Sequence, residues 1–232
     1  MDPELLSRAA HARAQGVAQR ADRPRQRRCA EPQGSRSSVL VAGAQMSLRA
    51  ADDTEDGPLH FTGYASVYER GYEMWDWYGP YTEIVEAGAG AVSIARADLD
   101  VPLVLQHQTL RRIARTTNGT LTLSEDETGL HVDAPELDPR DQDVAYIAPK
   151  LRSGLVDEMS FMFRIELGQW SPDYSEYRIQ RYDIHRGDVA IVGYGANPHT
   201  SGSPDLREQA GSDLARFDLG IRAEETRLLT FR

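Results

Sequence analysis

Apolar and polar residues alternate with a period of two across residues 59–68, with Leu59, Phe61, Ala65 and Val67 on one face, and this predicts a half-buried strand. Short strands are predicted at 101–106, 119–123 and 130–134, and further ones at 156–166, 177–183 and 188–194. The acidic, turn-rich stretch 124–129 reads as a hairpin connection. Helices are predicted over 88–96 and 138–152, the second with Pro139 near its start and Gly154 as its stop. No internal repeat is visible. The pattern therefore predicts an α+β, mainly β domain: a barrel-like set of short strands flanked by a few helices.

The two ends have a different texture. Residues 1–36 are rich in Ala, Arg and Gln, with almost no large apolar side chain after Leu6, so disorder or a frayed helix is expected there. Asn197-Pro198 closes the strand pattern, residues 201–204 read as a linker, and residues 205–232 read as a mobile tail with a marginal amphipathic helix as the alternative. The expected organisation is a basic extension over 1–50, a core domain over 51–200 and a tail over 201–232. Met46 is an alternative start.

Composition sharpens this picture. The 232 residues are 40% hydrophobic, enough for one sizeable core. No run approaches the ~18 apolar residues that span a bilayer, so a soluble protein without a membrane partner is expected. A single cysteine, Cys29, cannot form an internal disulfide and suits a reducing compartment. Residues 1–36 hold eight arginines against four acids, while the whole chain carries −10. An acidic main domain argues against nucleic acid as the chief partner, although the basic arm alone could contact it.

Common catalytic motifs are missing: no Gly-x-Ser-x-Gly elbow, phosphate loop, dinucleotide fingerprint or zinc helix. No metal or cofactor is expected. A serine and histidine in separated segments remain. In an extended conformation Met159, Phe161, Phe163 and Ile165 share one face and Ser160, Met162 and Arg164 the other. Ser160 is then a hydroxyl on a strand anchored in the core, suited to a nucleophile but equally to a plain polar strand position. His107 sits where the apolar run from Val101 ends, and could act as general base or bond a backbone carbonyl. Asp188 begins another apolar strand and could orient an imidazole; His185, three residues earlier, is the alternative. Arg164 or nearby backbone amides are candidate oxyanion donors. His131 reads as a strand surface residue, and His11, His60 and His199 lie in or near flexible regions.

Taken in order, six segments resemble the caudovirus prohead protease family over residues 61–200. They are Phe61-Thr-Gly-Tyr-Ala-Ser-Val-Tyr-Glu69, Glu83-Ile-Val-Glu-Ala-Gly-Ala-Gly90, the strand ending in His107, and the hairpin of Gly119-Thr-Leu-Thr-Leu123 with Asp126-Glu-Thr-Gly-Leu130. The block from Gly154 to Phe163 and the closing stretch ending Ala196-Asn-Pro198 complete the set. The chain departs from the family at Asp188-Val-Ala190, where a small polar residue usually follows the acid, and at Gly195, where proline is usual. The resemblance implies Ser160 as nucleophile, His107 as base and a fold like that of herpesvirus assemblins, whose third member is a second histidine. It further implies a serine endopeptidase that cleaves capsid scaffold segments and itself, self-associates, and works inside the immature prohead in the host bacterial cytoplasm. A catalytically inactive assembly module on the same fold is the rival reading.

Overall fold

The chain is seen in a computed structural model that describes residues 2–29, 39–41, 46–50 and 57–193. Eight strands form one mixed sheet: β1 (Arg28–Cys29), β2 (Val39–Val41), β5 (Tyr72–Asp76), β6 (Gly79–Val85), β7 (Pro102–Leu105), β8 (Arg112–Arg115), β11 (Glu158–Trp170) and β12 (Glu176–Val192). Four more, β3 (Ser47–Ala50), β4 (Leu59–Val67), β9 (Thr122–Glu125) and β10 (Gly129–Leu137), form a smaller antiparallel sheet. Helices α1 (Pro3–Gly16), α2 (Ala91–Ile94) and α3 (Gln142–Arg152) accompany them. None is long and apolar enough to cross a membrane. The expected Ala-Asn-Pro turn, the linker at 201–204 and the tail beyond it lie outside the described residues.

The fold is mainly β with few helices, as the alternation predicts, but the expected barrel does not close among the described residues. The larger sheet is organised around β12. Its 17 residues run antiparallel to β11 on one side. On the other side residues 176–179 lie parallel to β6 and residues 189–191 parallel to β7. Among the described residues the outer strands β1, β2 and β8 of this sheet pair with no strand of the smaller one, so the two sheets pack by their faces instead of joining at an edge. Phe61, Leu130 and Val132 of the smaller sheet share one apolar core with Met159, Phe161, Tyr182 and Ile191 of the larger.

Local signals explain most element boundaries. The Asp141 carboxylate accepts from the amides of Asp143 and Val144, so α3 starts at Gln142 and Pro139 falls in the turn before it. The hairpin between β9 and β10 is tied by Asp126, which accepts from the amides of Thr128 and Gly129. Gly129 is required by packing, because a Cβ there would lie 1.8 Å from the Ser66 carbonyl oxygen.

Disorder or a frayed helix is the expectation from sequence for residues 1–36, and the described part of that arm is instead docked. Asp2 caps α1 by accepting from the Glu4 amide, and Ala9, Ala10 and Arg13 face inward. Beyond Leu6 the arm has few large apolar side chains (Val17 packs against the core), and arginine supplies much of its hold. Arg13 is fully buried and grips Asp76 with two hydrogen bonds of 2.9 Å. Its remaining donors reach the carbonyls of Tyr174, Gly79 and Pro80, and its guanidinium lies 4.5 Å from the Trp170 ring centroid. Further along, Arg27 donates twice to the buried Glu83, which also accepts from the hydroxyls of Tyr72 and Tyr81. Burial and the Glu83 charge push both hydroxyls well above the ordinary tyrosine range. The positive arm thus neutralises acids inside the negative domain.

Breaking one such pair strands a charge. Arg13→Ala is expected to lower unfolding free energy by about 3–5 kcal/mol, read as a drop in urea midpoint. Pairing it with Asp76→Leu should recover part of that loss. A single variant with an unchanged midpoint would show that the arm does not hold the fold.

Candidate active site

Three adjacent strands carry the candidate residues on one face of the larger sheet. Ser160 of β11 stands opposite Ala190 of β12, which stands opposite Val104 of β7. Since strand side chains alternate, Asp188 shares the face of Ala190, and Met162 shares the face of Ser160. Val104, Ala190 and Val192 form a small buried cluster on this side, apart from the main core. The neighbours Met159 and Phe161 are fully buried in the main core, which fixes the strand on which Ser160 sits.

His107 reaches this face through an unusual turn. β7 is buried at all four positions, and the ladder continues one step as the Gln106 amide donates to Ile191 O. Gln106 and His107 then both adopt left-handed backbone, with φ of 53° and 55°. For residues with a Cβ this costs roughly 1–3 kcal/mol each and persists only where surroundings impose it. Here Gln108 N bonds to Leu105 O, Arg111 N to Gln108 O, and Leu105 N to Arg111 O, closing the turn.

Asp188 is aimed by a bulge. Ladder partners jump from Arg164 with Asp183 to Met162 with Asp188, so residues 184–187 loop out against Phe163 alone. Arg186 is left-handed within this bulge at φ 60°. Gly187 has no alternative: a Cβ there would lie 1.8 Å from Met162 O.

The three side chains meet in a line. His107 Nδ1 lies 2.6 Å from Asp188 Oδ1, and His107 Nε2 lies 2.9 Å from Ser160 Oγ. Ser160 and Asp188 are buried, and the histidine side chain is only 9% exposed. With Asp188 ionised, Nδ1 carries the proton and donates to it, leaving the Nε2 lone pair to accept from the serine hydroxyl. This arrangement can remove a proton from Oγ as it attacks and stabilise the resulting imidazolium.

Other sequence candidates lie elsewhere. His185, the alternative third member, is half-buried and accepts from the Asp100 amide through Nδ1. Arg164, a candidate oxyanion donor, is drawn away into an ion pair with Asp183 at 2.6 Å. His131 stacks edge-on with Tyr64, His60 bonds to Asp133, and His11 bonds to Gln15; His199 lies outside the described residues. Sequence reasoning missed Gln106, whose strained turn leaves no local signal, and Gly187, whose Arg-Gly step before Asp188 was a readable mark of a bulge.

Neither the curated proteins nor the solved structures contain a match to the chain. A family model described as caudovirus prohead serine protease matches residues 44–212, a span that includes all three side chains of the relay. The chain belongs to the caudovirus prohead serine protease family.

Proposed function

We propose that this protease cleaves scaffold segments of the capsid protein, and its own chain, within the immature prohead, using Ser160 as nucleophile, His107 as general base and Asp188 to orient and charge-balance the histidine. The hydrogen-bonded relay from Asp188 through His107 to Ser160 carries the reading. In the forward half-reaction Ser160 Oγ attacks the scissile carbonyl while its proton passes to His107 Nε2. Collapse of the tetrahedral intermediate breaks the C–N bond, and the same proton goes to the leaving amine. Water then repeats the sequence in reverse to free the acyl group and regenerate the serine. Family membership supports a capsid or scaffold protein as substrate, and self-association would concentrate the enzyme where that substrate is held.

The test combines a fluorophosphonate probe with the capsid precursor, both read by intact-mass spectrometry. The parent chain is expected to gain one phosphonyl group at Ser160 and to shorten the precursor and itself. A parent that neither takes up the probe nor trims the precursor would overturn the reading and favour an inactive assembly module.

A further inference from the structure

Beside the relay lies a cleft of about 270 Å³ that the catalytic steps above do not use. Its lining includes Met162, Gly187 and Asp188 together with Asp100, Arg112, Arg115 and Arg186. Met162 is two residues along β11 from Ser160 and on the same face, so this lining residue has its Cα about 7 Å from the nucleophile's. That is the reach of one substrate side chain near the scissile bond.

Its charge is uneven. The Arg115 guanidinium is spent on Asp100, which it grips through two bonds of 2.7 Å. Asp188 is engaged by His107. Arg112 donates from Nε to the Thr109 carbonyl, a neutral partner, and forms no ion pair among the described residues. Arg186 is exposed, held by its backbone amide to Asp100 O, and its side chain has no ion pair among the described residues. The Asp100 carboxyl is held below its usual range first by its bond from Arg115, and also by the nearby charges of Arg115, Arg186 and Arg112. Three guanidinium groups and the carboxylates of Asp100 and Asp188 line this side-chain-sized cleft, which leaves it a net positive charge, with Arg112 and Arg186 the two guanidinium groups that no ion pair holds among the described residues. Arginine presents a planar fork of donors suited to a carboxylate.

We infer that this cleft is a specificity subsite for an acidic side chain, and that the protease selects peptide bonds with Asp or Glu within two residues of the point of cleavage. Arg186 and Arg112 are the specificity-determining residues. The inference rests on Ser160 being the nucleophile. The left-handed backbone of Arg186, set by the bulge ahead of Asp188, ties the subsite to the relay: one irregularity positions both.

The test is a cleavage-site profile on a library of peptides from a digested bacterial proteome, read by mass spectrometry for the parent, for Arg186→Glu and for Arg112→Glu/Arg186→Glu. The parent is expected to enrich Asp or Glu at one position flanking the bond by at least about tenfold, the scale of one charge-assisted contact. The double variant should lose that enrichment and gain Lys or Arg at the same position, a change of preference that a merely damaged fold cannot produce. A parent profile without acidic enrichment, or a double variant that keeps it, overturns the inference while leaving Ser160 as nucleophile. A parent that takes up the fluorophosphonate probe yet cleaves no peptide also counts against the subsite. Absence of both labelling and cleavage overturns the protease mechanism and the subsite with it.

Discussion

Alanine in place of Ser160 is expected to lower kcat/KM for peptide cleavage by about 10,000-fold to a million-fold, the range seen when a triad nucleophile is removed. The substitution deletes one oxygen, and the covalent acyl-enzyme route is lost with it. Little else should change. Ser160 is fully buried opposite Ala190, so alanine fits the strand without a clash. The hydroxyl's contact with His107 is worth about 1 kcal/mol to folding, so the urea midpoint should move little. His107→Ala should cost nearly as much in rate, because a serine without its base is a weak nucleophile at neutral pH. The double variant should be no slower than either single one, since in the proposed mechanism the two residues act in one step. Single-turnover cleavage of the capsid precursor, followed beside urea melts of each variant, checks all three statements. A Ser160→Ala protein that keeps a tenth of parental activity would remove Ser160 from the mechanism.

How much of this was legible beforehand depends on which interactions decide each element. β4 and α3 were readable because local rules fix them: alternation at Leu59, Phe61 and Ala65, and the Asp141 cap. The docked arm was not, since its hold on the domain comes from Arg13 meeting Asp76, 63 residues away, and no window of sequence contains both. Barrel closure failed for a related reason. Strand count can be read from a pattern, but which edge strands pair across two sheets cannot, and here β1, β2 and β8 meet no strand of the smaller sheet among the described residues. At the relay, Ser160 was placed by simple alternation between Met159 and Phe161. The choice between Asp188 and His185 was open because residues 184–187 break the register, and side-chain direction past a bulge is not set by counting.

Asparagine at position 188 tests that choice directly and is expected to reduce kcat by about 10,000-fold with KM nearly unchanged. The relay needs a pure acceptor facing Nδ1, 2.6 Å away. If the asparagine turns its amide NH2 toward the ring, Nδ1 must accept, the proton moves to Nε2, and that nitrogen donates to Ser160 instead of taking its proton. If it turns its carbonyl, the tautomer is kept but the imidazolium formed during attack loses its counter-charge in a buried setting. Either way the loss falls on the transition state rather than on substrate binding, hence on kcat. A purely structural role for Asp188 would instead lower the urea midpoint and the amount of active enzyme, while leaving kcat per probe-labelled site intact. Nitrogen-15 spectra of the imidazole supply the second readout, because the two tautomers shift in opposite directions at Nδ1 and Nε2. His185→Ala should change kcat by less than about threefold, since that ring accepts from the Asp100 amide and lies outside the relay. The opposite pattern, with His185→Ala crippling and Asp188→Asn mild, would transfer the orienting role to the histidine and make the observed Asp188 contact incidental.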